Sequence, residues 1–149
     1  AIKNNGSLLV NYRSMSSPNG KERVIHPKTL VFAGRRWHVR AFDENSGEHR
    51  DLNLSRFAAI EASESDQEAP VDDIWDEKVR LLIEAHPALN DPQQRLIRDE
   101  LFDGAAGRYI TTRRALVQYV LNDLEIAEDK TTQLPPKFQV HLKRIEHAS

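Results

Sequence analysis

Turn residues interrupt the chain between Leu8 and Glu61 at short intervals, so its apolar residues fall into brief runs. Brief runs of this kind are typical of a small antiparallel β structure. The predicted strands cover residues 8–12, Val24 and Ile25, residues 29–32, residues 36–42 and residues 50–54. Five short strands in about 55 residues fit a small SH3-like or Sm-like barrel better than any helical design.

An acidic and polar stretch follows at residues 62–73, with the sequence ASESDQEAPVDD. Its composition predicts a linker rather than a helix or a strand. We therefore expect a first domain over residues 1–62, a linker over residues 63–76 and a second domain over residues 77–149.

The two halves carry opposite charge. Of the 21 Lys and Arg and the 23 Asp and Glu, residues 1–62 hold 10 and 6, a balance of +4, and the remainder holds 11 and 17, a balance of −6. An anionic ligand is therefore expected to meet the first half.

The second half mixes strand and helix signals. Residues 78–85 predict a buried strand, and Asp91-Pro92-Gln93 predicts the capped start of a helix that stops at Gly104. Residues 108–111 are β-like. A second helix is predicted from an apolar face formed by Leu116, Val117, Val120, Leu121 and Leu124. The predicted order is therefore β, α, β, α, with a last strand through Phe138, Val140 and Leu142.

Several functions are disfavoured by what the sequence lacks. It contains no cysteine, which excludes disulfides, thiol nucleophiles and cysteine-ligated zinc, and its 6 histidines are not spaced as in a zinc-binding helix. We find no nucleophile elbow and no glycine-rich phosphate loop, so we expect no enzyme, no metal and no cofactor. No apolar run approaches the ~20 residues that span a bilayer, and no signal-peptide pattern is present, so a cytoplasmic location is expected.

Residues 34–43, with the sequence GRRWHVRAFD, resemble the defining segment of the WYL domain, whose Trp-Tyr-Leu run is here Trp37-His38-Val39. Three flanking segments resemble neighbouring motifs of that family in the same order: NYRS at residues 11–14, RVIHP at residues 23–27 and DLNLSRF at residues 51–57. In the second half, AHPAL at residues 85–89 and RRALVQYVL at residues 113–121 are similar to the BrxR and CapW branch of WYL regulators.

This resemblance runs from Leu8 to about Ile126 and implies a bacterial transcriptional regulator, expected to be a repressor that controls an anti-phage defence system. In such regulators a winged helix-turn-helix binds operator DNA, the WYL domain senses a ligand and a C-terminal domain forms the dimer. No helix-turn-helix precedes Leu8, so we expect this chain to be the ligand-sensing and dimerisation portion of a homodimer, without the DNA reader.

The motifs that resemble the WYL family are rich in arginine, whose planar guanidinium donates two parallel hydrogen bonds to phosphate. The predicted ligand-binding residues are Tyr12, Ser14, Arg23, His26, Arg36, His38, Arg40, Ser55 and Arg56. They would suit a nucleotide or a single-stranded nucleic acid. Three of the arginines, Arg23, Arg40 and Arg56, are expected to share one groove with Tyr12, Ser14 and His38, although any single arginine is more simply explained as solvated surface.

Trp37 and His38 alternate along one strand and cannot both face the barrel interior. The large apolar area of Trp37 favours the core over base stacking. For His38, a ligand contact and a structural hydrogen bond are left open.

The apolar stripe at Leu116, Val117, Val120, Leu121 and Leu124 is first a candidate core, and it is also the predicted dimerisation face because so small a domain buries little surface alone. An alternative function is a stand-alone Sm-like nucleic-acid-binding module, with the second domain providing only oligomerisation. A winged helix encoded upstream in the same reading frame would favour the regulator.

Overall fold

The computed structural model describes residues 6–148, which divide into two compact units at the bond between Asp72 and Asp73. In its described part, the first unit contains strands and one 3₁₀ turn, and the second contains both strands and helices. The fold is therefore mixed α+β, with two separate sheets.

The first unit is a five-stranded antiparallel sheet, and the predicted number of strands is confirmed. Its strands are β1 (Ser7–Tyr12), β2 (Lys21–Ala33), β3 (Arg36–Asp43), β4 (Glu48–Asn53) and β5 (Phe57–Ser63). The strand order is β4-β3-β2-β1-β5, and a 3₁₀ turn at Leu54–Arg56 joins β4 to β5.

Two strand boundaries differ from the prediction. The predicted strands at Val24 and Ile25 and at residues 29–32 are one strand, β2, which passes Pro27 by a register shift between Pro27 and Thr29. Proline cannot donate a ladder hydrogen bond, and an irregularity in the pairing removes the need for one. β5 was not among the predicted strands, and the predicted linker begins inside it, because the strand continues to Ser63. Most of β5 is exposed, so it lacks the alternation that marks a half-buried strand.

Alternation along β3 gives the sheet two faces. Val39 and Ala41 face inward, where they join a buried cluster with Val10, Tyr12, Ile25 and Leu52. Arg40 and Phe42 point to the opposite side, which we call the outer face.

Residues 64–72, which we call the strap, lead from the end of β5 to the end of the first unit. Asp72, the last residue of the strap, bonds to Arg40 on the outer face and is buried there. The predicted linker therefore contains a residue that packs against the sheet.

The second unit is a four-stranded sheet with helices. Its elements are α1 (Asp73–Asp76), β6 (Lys78–Ala85), α2 (Asp91–Leu101), β7 (Gly107–Arg113), a 3₁₀ turn at Arg114–Leu116, α3 (Val117–Asp123), β8 (Ile126–Ala127) and β9 (Val140–His147). The strand order is β7-β6-β9-β8, and the β8–β9 pair is parallel while the others are antiparallel.

The first two predicted elements of this unit are confirmed, with one correction at the helix cap. The cap of α2 is Asn90 rather than Asp91. The Asn90 side chain accepts a hydrogen bond from the backbone N–H of Gln93, and the Gln93 side chain accepts one from the backbone N–H of Asn90. This reciprocal pair satisfies two backbone donors that the first turn of a helix leaves open.

The rest of the second unit is longer than the predicted β, α, β, α order. The helix α1 before β6 and the short strand β8 after α3 were not predicted, whereas β9 overlaps the predicted last strand at Val140 and Leu142. The core is built on the buried face of β6, which packs against Ile97 of α2 and Leu121 of α3. Within residues 6–148, no helix is both long enough and apolar enough to cross a membrane.

Candidate functional site

The tip of the β2–β3 hairpin projects beyond its neighbouring strands. β1 pairs only with residues 21–25 of β2, and the pairing of β4 with β3 ends at His38. The turn at Gly34 and Arg35 has positive φ at both positions, 59° and 63°, as a two-residue hairpin turn of the primed type requires. The residues at this tip therefore have no paired strand outside the hairpin, and they stay partly open to solvent.

Two aromatic side chains lie exposed at this tip. Phe32 and Trp37 pair directly across the hairpin, with ring centroids 5.3 Å apart, and expose 61% and 52% of their surface. The prediction that Trp37 lies in the core is therefore wrong. It is on the same side of β3 as buried Val39, but it lies past the last residue that pairs with β4. Two exposed rings offer a surface on which nucleic acid bases can stack.

Arginines surround these rings. Phe32, Trp37 and the 3₁₀ turn line a groove of about 680 Å³ that also includes Arg35, Arg36 and Arg56. Within the described part of the chain, these three arginine side chains make no hydrogen bond and no ion pair. The groove lining contains no Asp or Glu among the described residues, so positive charge accumulates here without an internal anion to offset it.

The opposite wall of the groove is held by local hydrogen bonds. The Asn53 side chain accepts bonds from the backbone N–H and the hydroxyl of Ser55, at 3.0 and 2.8 Å. The Tyr12 hydroxyl oxygen accepts a bond from the backbone N–H of Asn53 at 2.9 Å. Tyr12 is buried and stacks edge-on against Phe57, so in this structure it supports the wall from the inner face.

Arg40 lies elsewhere and already has anionic partners. Its Nε and Nη2 donate to the two carboxylate oxygens of Asp72 at 2.7 and 3.1 Å, and its Nη1 donates to Asp51 at 3.2 Å. Burial alone would lower the pKa of Arg40, but the hydrogen bonds and charges of the two carboxylates outweigh it and raise that pKa. Arg40 is only 6% exposed, so its guanidinium lies inside the unit rather than in an open groove.

Arg23 lies on the other side of the sheet. It is opposite Val10 in the ladder, and it pairs with Asp43, which is fully buried beside Ile25 on the inner face. Since Arg40 is on the outer face, the expected single groove containing Arg23, Arg40 and Arg56 is not formed. A carboxylate of the chain itself compensates each of the first two.

Three other predicted ligand residues are engaged locally. The His26 ring lies 2.7 Å from the Glu44 carboxylate, and the His38 ring donates to the Ala33 carbonyl at 3.1 Å. The Ser14 hydroxyl oxygen accepts from the backbone N–H of Ser17 at 3.1 Å in the β1–β2 loop. Of the nine residues predicted to bind ligand, the groove contains Arg36, Ser55 and Arg56. A ligand role for the others stays a prediction.

A second cavity, of about 760 Å³, lies between the strap and the sheet. Its lining includes His26, Lys28 and His49 from the sheet and Ser65 from the strap. The Ser65 hydroxyl donates to Glu44 at 2.7 Å, and this bond, together with the nearby His26, holds the pKa of Glu44 below its ordinary value. The cavity mixes acidic and basic groups, so it lacks the uniform positive charge of the groove.

The predicted dimerisation stripe is mostly inside the second unit. Leu121 is buried in the core, and Val117 and Val120 pack against that core while partly buried. Leu116 is half-buried, and Leu124 remains 56% exposed just after α3. Of the five residues, Leu124 is thus the one best placed to meet a partner.

Comparisons with known families match two domains along the chain. Residues 1–62 match the WYL domain, and residues 78–147 match the BrxR transcriptional regulator C-terminal dimerization domain. The chain therefore combines a WYL domain with the C-terminal dimerization domain of BrxR transcriptional regulators.

Relatives of known description agree with these matches. The DNA-binding transcriptional repressor CapW of Pseudomonas aeruginosa is 34% identical over 144 residues, covering 96% of this chain and 48% of that protein. CapW of Escherichia coli (strain KTE188) is 36% identical over 146 residues, with the same two coverages. This chain belongs to the WYL-domain regulators of the BrxR and CapW type, and it spans about half the length of these relatives.

A solved structure of the proteasome accessory factor B/C of Arthrobacter aurescens is a more distant match. It is 19% identical, with a TM-score of 0.42 over 76% of this chain and 20% of that one. This similarity is too slight to define the fold.

Several residues that line the groove were not predicted from the sequence. Phe32, Arg35, Trp37, Asn53 and Leu54 were not among the predicted ligand residues, and the compensating carboxylates Asp43, Asp51 and Asp72 were not recognised. The adjacent pair Arg35-Arg36, at the end of a two-residue turn and the start of β3, was a usable signal, because a hairpin tip projects such side chains into solvent. No local pattern links Arg40 to Asp72, which lies 32 residues away.

Proposed function

We propose that this chain is the effector-sensing and dimerising part of a transcriptional repressor that controls a phage-defence system. Its effector is an anionic nucleotide or single-stranded nucleic acid, bound in the groove at the tip of the β2–β3 hairpin. The first unit then contains an SH3-like or Sm-like barrel. The proposed domains are those predicted from the sequence, residues 1–62 and 77–149, joined by residues 63–76. Homodimer formation and operator binding by the whole protein belong to the same proposal.

One observation carries the assignment of the groove. Three arginines without anionic partners among the described residues surround two exposed aromatic rings in one concave surface. Exposed stacking surfaces and unpaired cations are the two elements of sequence-tolerant recognition of single strands. The arginines provide phosphate contacts, while Phe32 and Trp37 provide stacking for bases.

Regulation by such an effector requires a difference in affinity. A ligand changes operator binding only to the extent that it binds one arrangement of the dimer more tightly than another. The groove supplies the affinity, and the second unit supplies the dimer whose arrangement would change.

The experiment that tests the groove uses the fluorescence of Trp37. The chain has 2 tryptophans, so a Trp75→Phe chain leaves Trp37 as the single reporter. Titration with a ten-residue oligothymidylate is expected to quench this fluorescence with saturation, because a stacked base contacts the indole. Mononucleotides are titrated in parallel to compare the two ligand classes.

The matched control is the Trp37→Phe chain, in which Trp75 is the only tryptophan. Trp75 lies in the second unit under the Arg113 guanidinium, 4.7 Å from its ring centroid. Its fluorescence should not change. If neither ligand class quenches Trp37, or if Trp75 responds equally, the groove is not the effector site.

A further inference from the structure

The strap is fastened to the outer face by two polar contacts. Near its start, Ser65 donates to Glu44, and at its end Asp72 accepts two hydrogen bonds from Arg40. Asp72 is 2% exposed, and the next residue begins the second unit. The contact between Arg40 and Asp72 therefore fixes the point at which the chain leaves the five-stranded sheet.

The Asp72 carboxylate leaves one polar side chain of its site, His49, without a hydrogen bond. The His49 Nδ1 atom lies 3.5 Å from an Asp72 oxygen, which is too long for a good hydrogen bond. Both ring nitrogens of His49 are buried and make no hydrogen bond with any described residue. A buried polar group without a partner is costly. The unused ring N–H of His49 is therefore available to donate a hydrogen bond to an anion.

A tetrahedral oxyanion would have oxygens for both Arg40 and His49, whereas the Asp72 carboxylate makes no hydrogen bond to His49. Asp51 would keep its bond to Arg40 Nη1. The oxygens of the oxyanion point in four directions, so one edge can accept from the Arg40 fork while another oxygen reaches His49. The cavity of about 760 Å³ beneath the strap is also lined by His49, which gives an anion a route to the site.

We propose that Asp72 is a built-in competitor in an oxyanion site formed by Arg40 and His49, and that phosphate or a phosphomonoester displaces it and releases the strap. No covalent step is involved, since one anion exchanges for another. Release would free the segment that leads into the second unit, so occupancy of this site would reach the dimerising half of the chain. The proposal does not depend on the groove.

The tether sets the concentration that a free anion needs. A carboxylate held by a short connection competes at an effective concentration on the order of millimolar. Displacement by inorganic phosphate is therefore expected in the millimolar range.

The test follows, by NMR, hydrogen exchange of two strap amides in the whole chain: that of Gln67, which donates to the Ser65 hydroxyl, and that of Asp72, which is buried. Inorganic phosphate is titrated to tens of millimolar against sodium chloride of equal ionic strength. Exchange of the strap should accelerate by about tenfold and saturate in phosphate but not in chloride, while the amides of β1, β2 and β3 keep their protection.

Three variants test the roles of Asp72, His49 and the groove separately. In Asp72→Asn the strap should exchange fast without phosphate and gain nothing from it. In His49→Leu the strap should stay protected, because His49 makes no hydrogen bond to it, and half-maximal release should need about ten times more phosphate, by analogy with the loss of one hydrogen bond. Arg56→Ala, which alters the groove alone, should respond like the parent chain.

Four outcomes would overturn the proposal: no phosphate effect on the strap of the parent chain, equal effects of phosphate and chloride, faster exchange throughout the sheet, or loss of the response in Arg56→Ala. The last would place phosphate in the groove instead, so failure here is distinguishable from failure of the proposed function. If Asp72→Asn does not fold, the phosphate titration of the parent chain still decides.

Discussion

Five of the seven arginines of the first unit fall into two groups according to the carboxylates beside them. Arg23 and Arg40 are compensated by Asp43 and by Asp51 and Asp72, whereas Arg35, Arg36 and Arg56 have no such partner among the described residues. An arginine buried with a carboxylate contributes to the folded state, and removing it leaves an uncompensated charge. An exposed arginine without a partner contributes little to stability and is free to bind.

This difference predicts opposite phenotypes for two substitutions. Arg23→Met should lower the free energy of unfolding by about 3 kcal/mol, because it leaves the fully buried carboxylate of Asp43 without its main partner. Arg36→Met, the matched control, should stay within about 0.5 kcal/mol of the parent chain. Urea unfolding measures both. Equal effects would show that burial does not separate the two groups.

The hairpin turn carries a second prediction at this scale. Arg35 adopts a φ of 63°, a conformation that costs a residue with a Cβ about 1 kcal/mol and costs glycine nothing. Arg35→Gly should therefore raise the free energy of unfolding by up to about 1 kcal/mol, less the greater chain entropy of glycine, and should weaken oligonucleotide binding. A variant that is both less stable and equally tight in binding would contradict the role given to this turn.

The sequence predicted which hairpin the groove residues lie on better than it predicted which arginines pair with carboxylates. The motif around Trp37 lies on the hairpin that carries the proposed groove, and Arg36, Ser55 and Arg56 do line that groove together. Which arginines are neutralised depends on strand register and on contacts from distant segments. Arg40 meets Asp51 because the two are opposite each other in the β3–β4 ladder, and no local pattern in the sequence specifies that register.

At the scale of elements, runs of strong periodicity were predicted well and exposed ones were not. β6 alternates cleanly between buried and half-buried positions, and its predicted bounds agree with the structure. β5 is exposed along most of its length, so its pattern did not predict a strand over residues 57–63. Long-range pairing with β1, rather than burial, holds it in place.

The strap gives a pH-dependent prediction. The hydrogen bond from Ser65, aided by His26, lowers the pKa of Glu44 in the folded chain below its ordinary value of 4.5. A lowered carboxyl pKa stabilises the fold above the unfolded value, and this stabilisation is lost as the pH falls through the folded value. Ser65→Ala should therefore cost about 1 kcal/mol at pH 7.

The difference between Ser65→Ala and the parent chain should shrink as the pH is lowered below 4.5. Urea unfolding of both chains from pH 7 to pH 3 measures it. A constant difference across this range would mean that ionised Glu44 is not the group that Ser65 stabilises.

At the scale of the whole molecule, we propose a homodimer because the second unit matches a dimerization domain. The predicted apolar stripe is divided, because Leu121 belongs to the core while Leu124 is exposed. We expect a homodimer at tens of micromolar by sedimentation velocity. Leu124→Glu should weaken it at least about tenfold, since burying an unpaired charge at an interface costs more than 1.4 kcal/mol.

Leu96 provides a control for this substitution. It is 56% exposed, as Leu124 is, and lies on α2 of the same unit. Leu96→Glu should leave the dimer intact. If the two variants behave alike, the exposed end of α3 is not the contact that the dimer uses.

The central claim is that the unpaired arginines at the hairpin tip bind an anionic ligand. Its most direct test is the salt dependence of oligothymidylate binding by the parent chain and by the Arg36→Ala, Arg56→Ala double variant. Each phosphate contact to a single strand contributes about 0.7 to the slope of log K against log salt. The double variant should bind at least about tenfold more weakly, with a slope shallower by about 1.4. Unchanged affinity and slope would contradict the claim and return these arginines to ordinary surface charge.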